Sequence, residues 1–172
     1  MPVCSNMATQ YQNLSGYDPD VLPAAEVLQQ QSYAIAVADW NPQVTYPLLD
    51  GAVETLVKHG VFRSNIRVVH VPGTFELIYA ARQFLDANDT QFNAVIVLGC
   101  VVQGETPHFT YVCEGVTAGI AQLNTLQGKA PVIFGVLTTA NMQQALDRAG
   151  GIHGNKGVEA AITAVKMANN IW

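Results

Sequence analysis

From Tyr33 to the C-terminus the chain alternates between two patterns. Short apolar runs occur at Tyr33–Ala38, Ile66–Val71, Ala94–Leu98 and Pro131–Leu137. Runs this short and rich in β-branched residues read as strands buried on both faces. Between them, apolar residues recur at three- and four-residue spacing, which is the period of a helix packed along one side. Leu49, Val53, Leu56 and Val57 mark one helix over Tyr46–His59, stopped by Gly60. Leu77, Ile78, Ala81 and Leu85 mark a second, capped by Thr74 and running to about Ala87. Val112, Val116, Ile120 and Leu123 mark a third from His108 to about Leu126. A fourth follows Thr138-Thr139 to about Ala149, and a last one covers Lys156 to Asn169.

Four buried strands separated by helices call for a parallel sheet, because each parallel link needs a crossover. The predicted architecture is α/β: a three-layer α/β/α sandwich around a four-stranded parallel sheet. Its strand order is not readable from the pattern. Residues 1–30 carry Pro2, Gly16, Pro19 and Pro23 in a polar, irregular stretch. They read as an N-terminal arm, with the domain proper spanning residues 31–172.

Composition narrows the function classes. Of the 172 residues, 49% are hydrophobic and only 12% charged, with a net charge of −5. This argues against disorder and against a nucleic-acid footprint. The scarcity of charge predicts apolar surface covered by other subunits. No apolar run approaches the length of a membrane span, and no secretory signal is visible, so a cytoplasmic protein is expected. Cys4, Cys100 and Cys113 have no metal-like spacing and read as reduced thiols, the latter two packing as small apolar groups. The four histidines are scattered, so no metal site is expected.

In open α/β sheets, ligands bind beyond the carboxyl ends of the strands. That rule selects Asp39–Pro42, Pro72–Glu76, Gly99–His108 and Thr138–Asn141. The third segment is the richest. Gly104 lets a ligand approach the backbone, Glu105 and Thr106 precede a helix whose N-terminus favours an anion, and His108 adds a proton donor and acceptor. An ordinary turn also explains Gly104, Thr106 as a cap and Pro107 at the first helical position. Trp40, beside Asn41, suits stacking on a planar ring, or plugging the end of the sheet. Glu76 can bind hydroxyls or favour a helix start. Phe134 reads as core.

Arg148 is placed well along its helix, away from the sheet's carboxyl edge. It either complements that helix's C-terminus or reaches an anion in a neighbouring subunit. Lys156 is open between a ligand contact and a solvated charge. His59 reads as a helix-end residue, His70 as structural and His153 as part of a glycine-rich turn. No Ser–His–Asp pattern, dinucleotide fingerprint or P-loop is present.

The stretches Val71–Glu76 (VPGTFE), Gly99–Cys113 (GCVVQGETPHFTYVC), Phe134–Thr139 (FGVLTT), Gln144–Gly150 (QALDRAG) and Asn155–Gly157 (NKG) occur in one order and spacing. In them the chain, from about Tyr33 to Ala168, resembles the 6,7-dimethyl-8-ribityllumazine synthase family of riboflavin biosynthesis. The resemblance implies a flavodoxin-like sheet and a cofactor-independent condensation of 5-amino-6-(D-ribitylamino)uracil with 3,4-dihydroxy-2-butanone 4-phosphate. It implies His108 as the acid/base. It assigns Gly104, Glu105, Thr106 and Arg148 to the phosphate. To the pyrimidine and its ribityl chain it assigns Trp40, Asn41, Thr74, Phe75, Glu76, Cys100, Val101, Val102, Phe134 and Lys156. Arg148, Phe134 and Lys156 would come from the adjacent subunit. The implied partners are further copies of the chain, as a pentamer or a 60-subunit shell of twelve pentamers, and riboflavin synthase. Neither nucleic acid nor membrane is implied. The short Gly150–Gly154 turn favours the shell. Three positions depart from the family pattern: Gln103 stands where arginine is common, Trp40 where phenylalanine is frequent, and Glu105 brings a carboxylate near a phosphate. Two rivals are a flavin-binding module without turnover, which would not need Arg148 or His108, and an idle shell protein.

Overall fold

A computed structural model describes residue 13 and residues 15–172. Cys4, with the rest of residues 1–12 and residue 14, lies outside the described residues. Strands β1 (Tyr33–Ala38), β2 (Ile66–Val71), β3 (Ala94–Val102) and β4 (Val132–Thr139) form one parallel sheet in the order β2-β1-β3-β4. The helices are α1 (Ala25–Leu28), α2 (Pro42–Lys58), α3 (Leu77–Leu85), α4 (His108–Leu123), α5 (Met142–Asp147) and α6 (Lys156–Ala168). A small antiparallel pair, β5 (Ala149–Gly151) and β6 (Gly154–Asn155), joins α5 to α6.

Alternation along the strands builds two cores. Tyr33, Ile35 and Val37 of β1, with Ile96 and Leu98 of β3, face α2 and α6. Ala34 and Ala36, with Val95 and Val97, face α3 and α4. Right-handed crossovers account for this division. The chain steps from β1 outward to β2 through α2, then reverses past β1 to β3 through α3, so α2 and α3 fall on opposite faces. The reversal makes the β1/β3 boundary the switch point where the connecting segments diverge.

Several boundaries differ from the sequence-based expectation: α2 starts at Pro42 rather than Tyr46, and α5 ends at Asp147 rather than Ala149. The stretch Gly99–Val102 is not loop: it continues β3 and pairs with Val136–Thr139 of β4. Thr74 opens a 3₁₀ turn without a side-chain cap, and α3 ends at Leu85. Thr106 does not cap α4, whose N-cap is Pro107. Finally, α4 ends at Leu123 with Asn124 as its C-cap, and the Asn124 side chain exchanges two hydrogen bonds with the Val132 backbone, at 2.9 and 2.8 Å. Leu28 of α1 is fully buried in the core beneath α2. Ser15 hydrogen-bonds the Asn155 carbonyl at 3.1 Å.

Candidate active site

The cleft forms where β3 outruns β1. Pairing between β1 and β3 ends at Leu98, whereas β3 continues beside β4 to Val102. The last residues of β3 therefore present an open edge toward the side β1 has left. Two side chains occupy part of it. Asn41 Nδ2 donates to the Cys100 carbonyl at 3.1 Å, and Thr74 Oγ1 approaches the same oxygen at 3.5 Å. Backbone groups alternate sides along a strand. Gln103 N–H bonds back to Thr139 of β4, so the N–H and C=O of Val102 point away from β4 and toward the open edge.

The segments around that edge enclose a cleft of about 760 Å³. It is lined by Trp40, Asn41, Pro72, Gly73, Thr74, Phe75, Glu76, Cys100, Val101, Val102, Gly104, Thr106, His108, Phe109, Tyr111 and Val112. Trp40 is 71% exposed, so its ring faces solvent at the cleft rather than plugging the sheet. Asn41 has φ 62° and ψ 54°, a left-handed conformation that asparagine tolerates better than most residues. That turn carries the backbone from β1 into α2. Phe75 is also exposed, and its ring edge packs where a Cβ on Gly115 of α4 would sit.

Helix α4 aims its N-terminus into the cleft. Thr110 and Tyr111 N–H return to the Pro107 carbonyl. Among the described residues, the N–H groups of Glu105, Thr106, His108 and Phe109 have no backbone acceptor. These are the unsatisfied donors that favour an anion. A side chain at Gly104 would meet nothing within 4 Å, so this position is open to a ligand. Glu105 is exposed and lies outside the lining. Burial pushes the Cys100 thiol up to about 11, so it stays protonated near neutrality.

One chain does not assemble every expected residue. Phe134, Lys156 and Arg148 are absent from the lining, as is the whole segment Thr138–Asn141. Phe134 is half-buried against the α3/α4 core, as its strand position suggested. Helix α5 is only six residues long, so Arg148 caps its C-terminal end rather than riding well along it. Its Nη1 donates to the His153 carbonyl at 2.8 Å and lies 2.7 Å from Glu159 Oε1. Lys156 Nζ meets the other oxygen of Glu159 at 3.2 Å. The solvated-loop alternative for Lys156 is thereby replaced by an ion-paired one. The lining contains no lysine or arginine among the described residues.

Pattern reading missed Phe109, Tyr111 and Val112 as cleft residues. Val112 was legible only as helix face, and the other two carry no spacing signal. His70, read as structural, lies on edge strand β2 with half its side chain exposed and bonds Asp39 at 2.7 Å. His59, at the end of α2, meets the Tyr17 hydroxyl at 2.7 Å. Cys113 is only partly buried. Among the described residues, no group of His, Cys, Asp or Glu is arranged to hold a metal and no helix is long and apolar enough to cross a membrane.

Residues 30–171 match the family model described as 6,7-dimethyl-8-ribityllumazine synthase. Proteins of that name are similar over nearly the whole chain. The one from Porphyromonas gingivalis is 57% identical, covering 94% of this chain and 97% of its own length. The one from Parabacteroides distasonis is 56% identical, with coverages of 95% and 98%. That from Phocaeicola vulgatus is 54% identical, with coverages of 94% and 92%.

Proposed function

The chain belongs to the 6,7-dimethyl-8-ribityllumazine synthase family, and on that premise we propose how its cleft divides the work. The enzyme condenses 5-amino-6-(D-ribitylamino)uracil with 3,4-dihydroxy-2-butanone 4-phosphate. The products are 6,7-dimethyl-8-ribityllumazine, phosphate and water, in the penultimate step of riboflavin biosynthesis.

The pyrimidine stacks on Trp40, with its edge read by the backbone of Cys100, Val101 and Val102. Asn41 holds that edge in place. Thr74, Phe75 and Glu76 take the ribityl chain, since Glu76 supplies the one carboxylate in the lining. The phosphate of the second substrate sits at the N-terminus of α4, against Gly104, Thr106 and the backbone N–H of Glu105. The exposed Glu105 side chain turns to solvent, which removes the conflict of like charges. An amine of the pyrimidine adds to the ketone and expels a first water to form a Schiff base. Phosphate leaves, and the ring closes with loss of a second water. His108 moves the protons, because it stands in the first turn of the helix that holds the departing anion.

The observation that carries this reading is the single cleft shared by His108, the α4 N-terminus, Trp40 and the open β3 edge. Among the described residues the same cleft has no lysine or arginine for a dianionic group. We assign that role to Arg148 of an adjacent copy, with Phe134 and Lys156 of that copy closing the pyrimidine side. Phe75, Tyr79 and Tyr111, exposed at 53%, 71% and 71%, supply apolar surface for such an interface. The assembly is a pentamer, and the short Gly150–Gly154 turn favours the 60-subunit shell, with the N-terminal arm, residues 1–30, able to alter that outcome. The setting is cytoplasmic, and riboflavin synthase, which consumes the product, is the partner.

The test is direct. Purified protein given both substrates releases phosphate and forms fluorescent lumazine. A folded oligomer that binds flavin tightly and makes no lumazine would instead be a binding module.

A further inference from the structure

Trp40 is exposed, yet the backbone that carries it is tied down from the opposite face. Asp39 precedes it, and alternation along β1 turns the Asp39 side chain toward α2 while Trp40 faces the cleft. Asp39 Oδ1 accepts from Tyr46 Oη at 3.0 Å and contacts His70 Nδ1 at 2.7 Å. The Tyr46 and His70 rings pack edge to face, 5.6 Å apart. Tyr46 lies in the second turn of α2 and His70 one residue before the end of β2. One carboxylate oxygen therefore joins the strand before Trp40, the helix after it and the neighbouring strand. The backbone repeats the tie, with Asp39 N–H on Val71 at 2.8 Å and Trp40 N–H on Pro72 at 3.1 Å. None of Asp39, Tyr46 and His70 lines the cleft. The hydrogen bonds from His70 and Tyr46 hold the Asp39 carboxyl below its usual range, which keeps it an acceptor.

We propose that Asp39 is a positioning residue: through His70 and Tyr46 it fixes the β1–α2 connection so that Trp40 stands as a preset stacking platform for the pyrimidine. To the backbone bonds the side chains add a charged acceptor shared by two donors, which ties the connection to α2 as well as to β2. The ordering is then in place before substrate binds and is not charged to the binding step. The inference rests on the proposed assignment of Trp40 to the pyrimidine.

The experiment uses the full-length enzyme with Trp172→Phe, which leaves Trp40 as the one tryptophan of the two in the chain. Asp39→Ala in that background lowers the fluorescence anisotropy of Trp40 in the unliganded protein. It raises KM for the pyrimidine roughly fivefold, while kcat and the KM for the phosphate substrate stay within about twofold. Asp39→Asn, which retains an acceptor oxygen, restores most of both properties. Tyr46→Phe removes one donor with little risk to folding and moves anisotropy part of the way. Unchanged anisotropy and KM in Asp39→Ala would overturn the proposal, as would equal losses for both substrates with a lowered melting temperature. If the parent enzyme makes no lumazine, the reaction assignment fails, and the anisotropy alone still decides whether Asp39 orders Trp40.

Discussion

Asn41 of the β1–α2 connection donates its side-chain amide to the main-chain carbonyl of Cys100, 3.1 Å away across the open edge of β3. This bond ties the two segments that diverge at the switch point. Asn41→Ala loses the bond and also places alanine in a left-handed conformation, at a cost of about 1 kcal/mol or more. Asn41→Gly keeps the backbone and loses only the bond. Both variants should raise KM for the pyrimidine, and thermal melting should show the alanine variant as the less stable of the two.

His108 is exposed at the start of α4 and packs in neither core. His108→Ala should therefore leave the melting temperature unchanged while lowering kcat by roughly 10²–10⁴, the usual range for a positioned acid/base. Steady-state rates beside a melting curve check both halves. An unchanged rate removes the histidine from the chemistry.

Stability is most exposed where α6 crosses α2. A Cβ on Gly157 would run into the carbonyl oxygen of Leu48, which is backbone and cannot swing aside. Gly157→Ala should cost about 1–3 kcal/mol, the range for overpacking a core. Chemical denaturation would measure it, and a variant as stable as the parent would show that the two helices pack less closely than described.

His59 sets a pH dependence. Burial, with a smaller part from Lys58, holds its imidazole below the ordinary value of 6.5. The folded protein thus keeps it neutral where the unfolded chain already binds a proton. Its contribution is complete above that value and is lost as pH falls through the lowered folded value. Stability should decline on acidification from about pH 6.5, and His59→Gln should flatten that part of the curve. Denaturation at several pH values between neutrality and the carboxylate range tests it.

How much was legible depended on whether a residue's role is local. The β1 residues Tyr33–Ala38 are buried on both faces, and such a run declares itself. At Gly99–Val102 a glycine and a cysteine interrupt the run, so the pattern predicts loop, yet pairing with β4 carries these residues on as strand. The end of α4 was missed because Asn124 is claimed by Val132, eight residues away. Short α1 has too few residues to show a period, though its Leu28 is fully buried. The carboxyl-edge rule located Trp40, Phe75, Thr106 and His108, since each falls in a segment that leaves the carboxyl end of a strand. The Arg148–Glu159 and Asp39–His70 pairs join separate elements and leave no trace in local spacing.

The central claim is that one chain supplies the cleft and His108 while another supplies Arg148. Mixing His108→Ala and Arg148→Ala subunits in one oligomer measures it. Each variant alone should be nearly inactive. Random assortment around a closed ring restores an intact site wherever a subunit with His108 adjoins one with Arg148, which predicts about a quarter of the parental activity. Mixed oligomers, verified by mass, that are no more active than the sum of the two parents would contradict it.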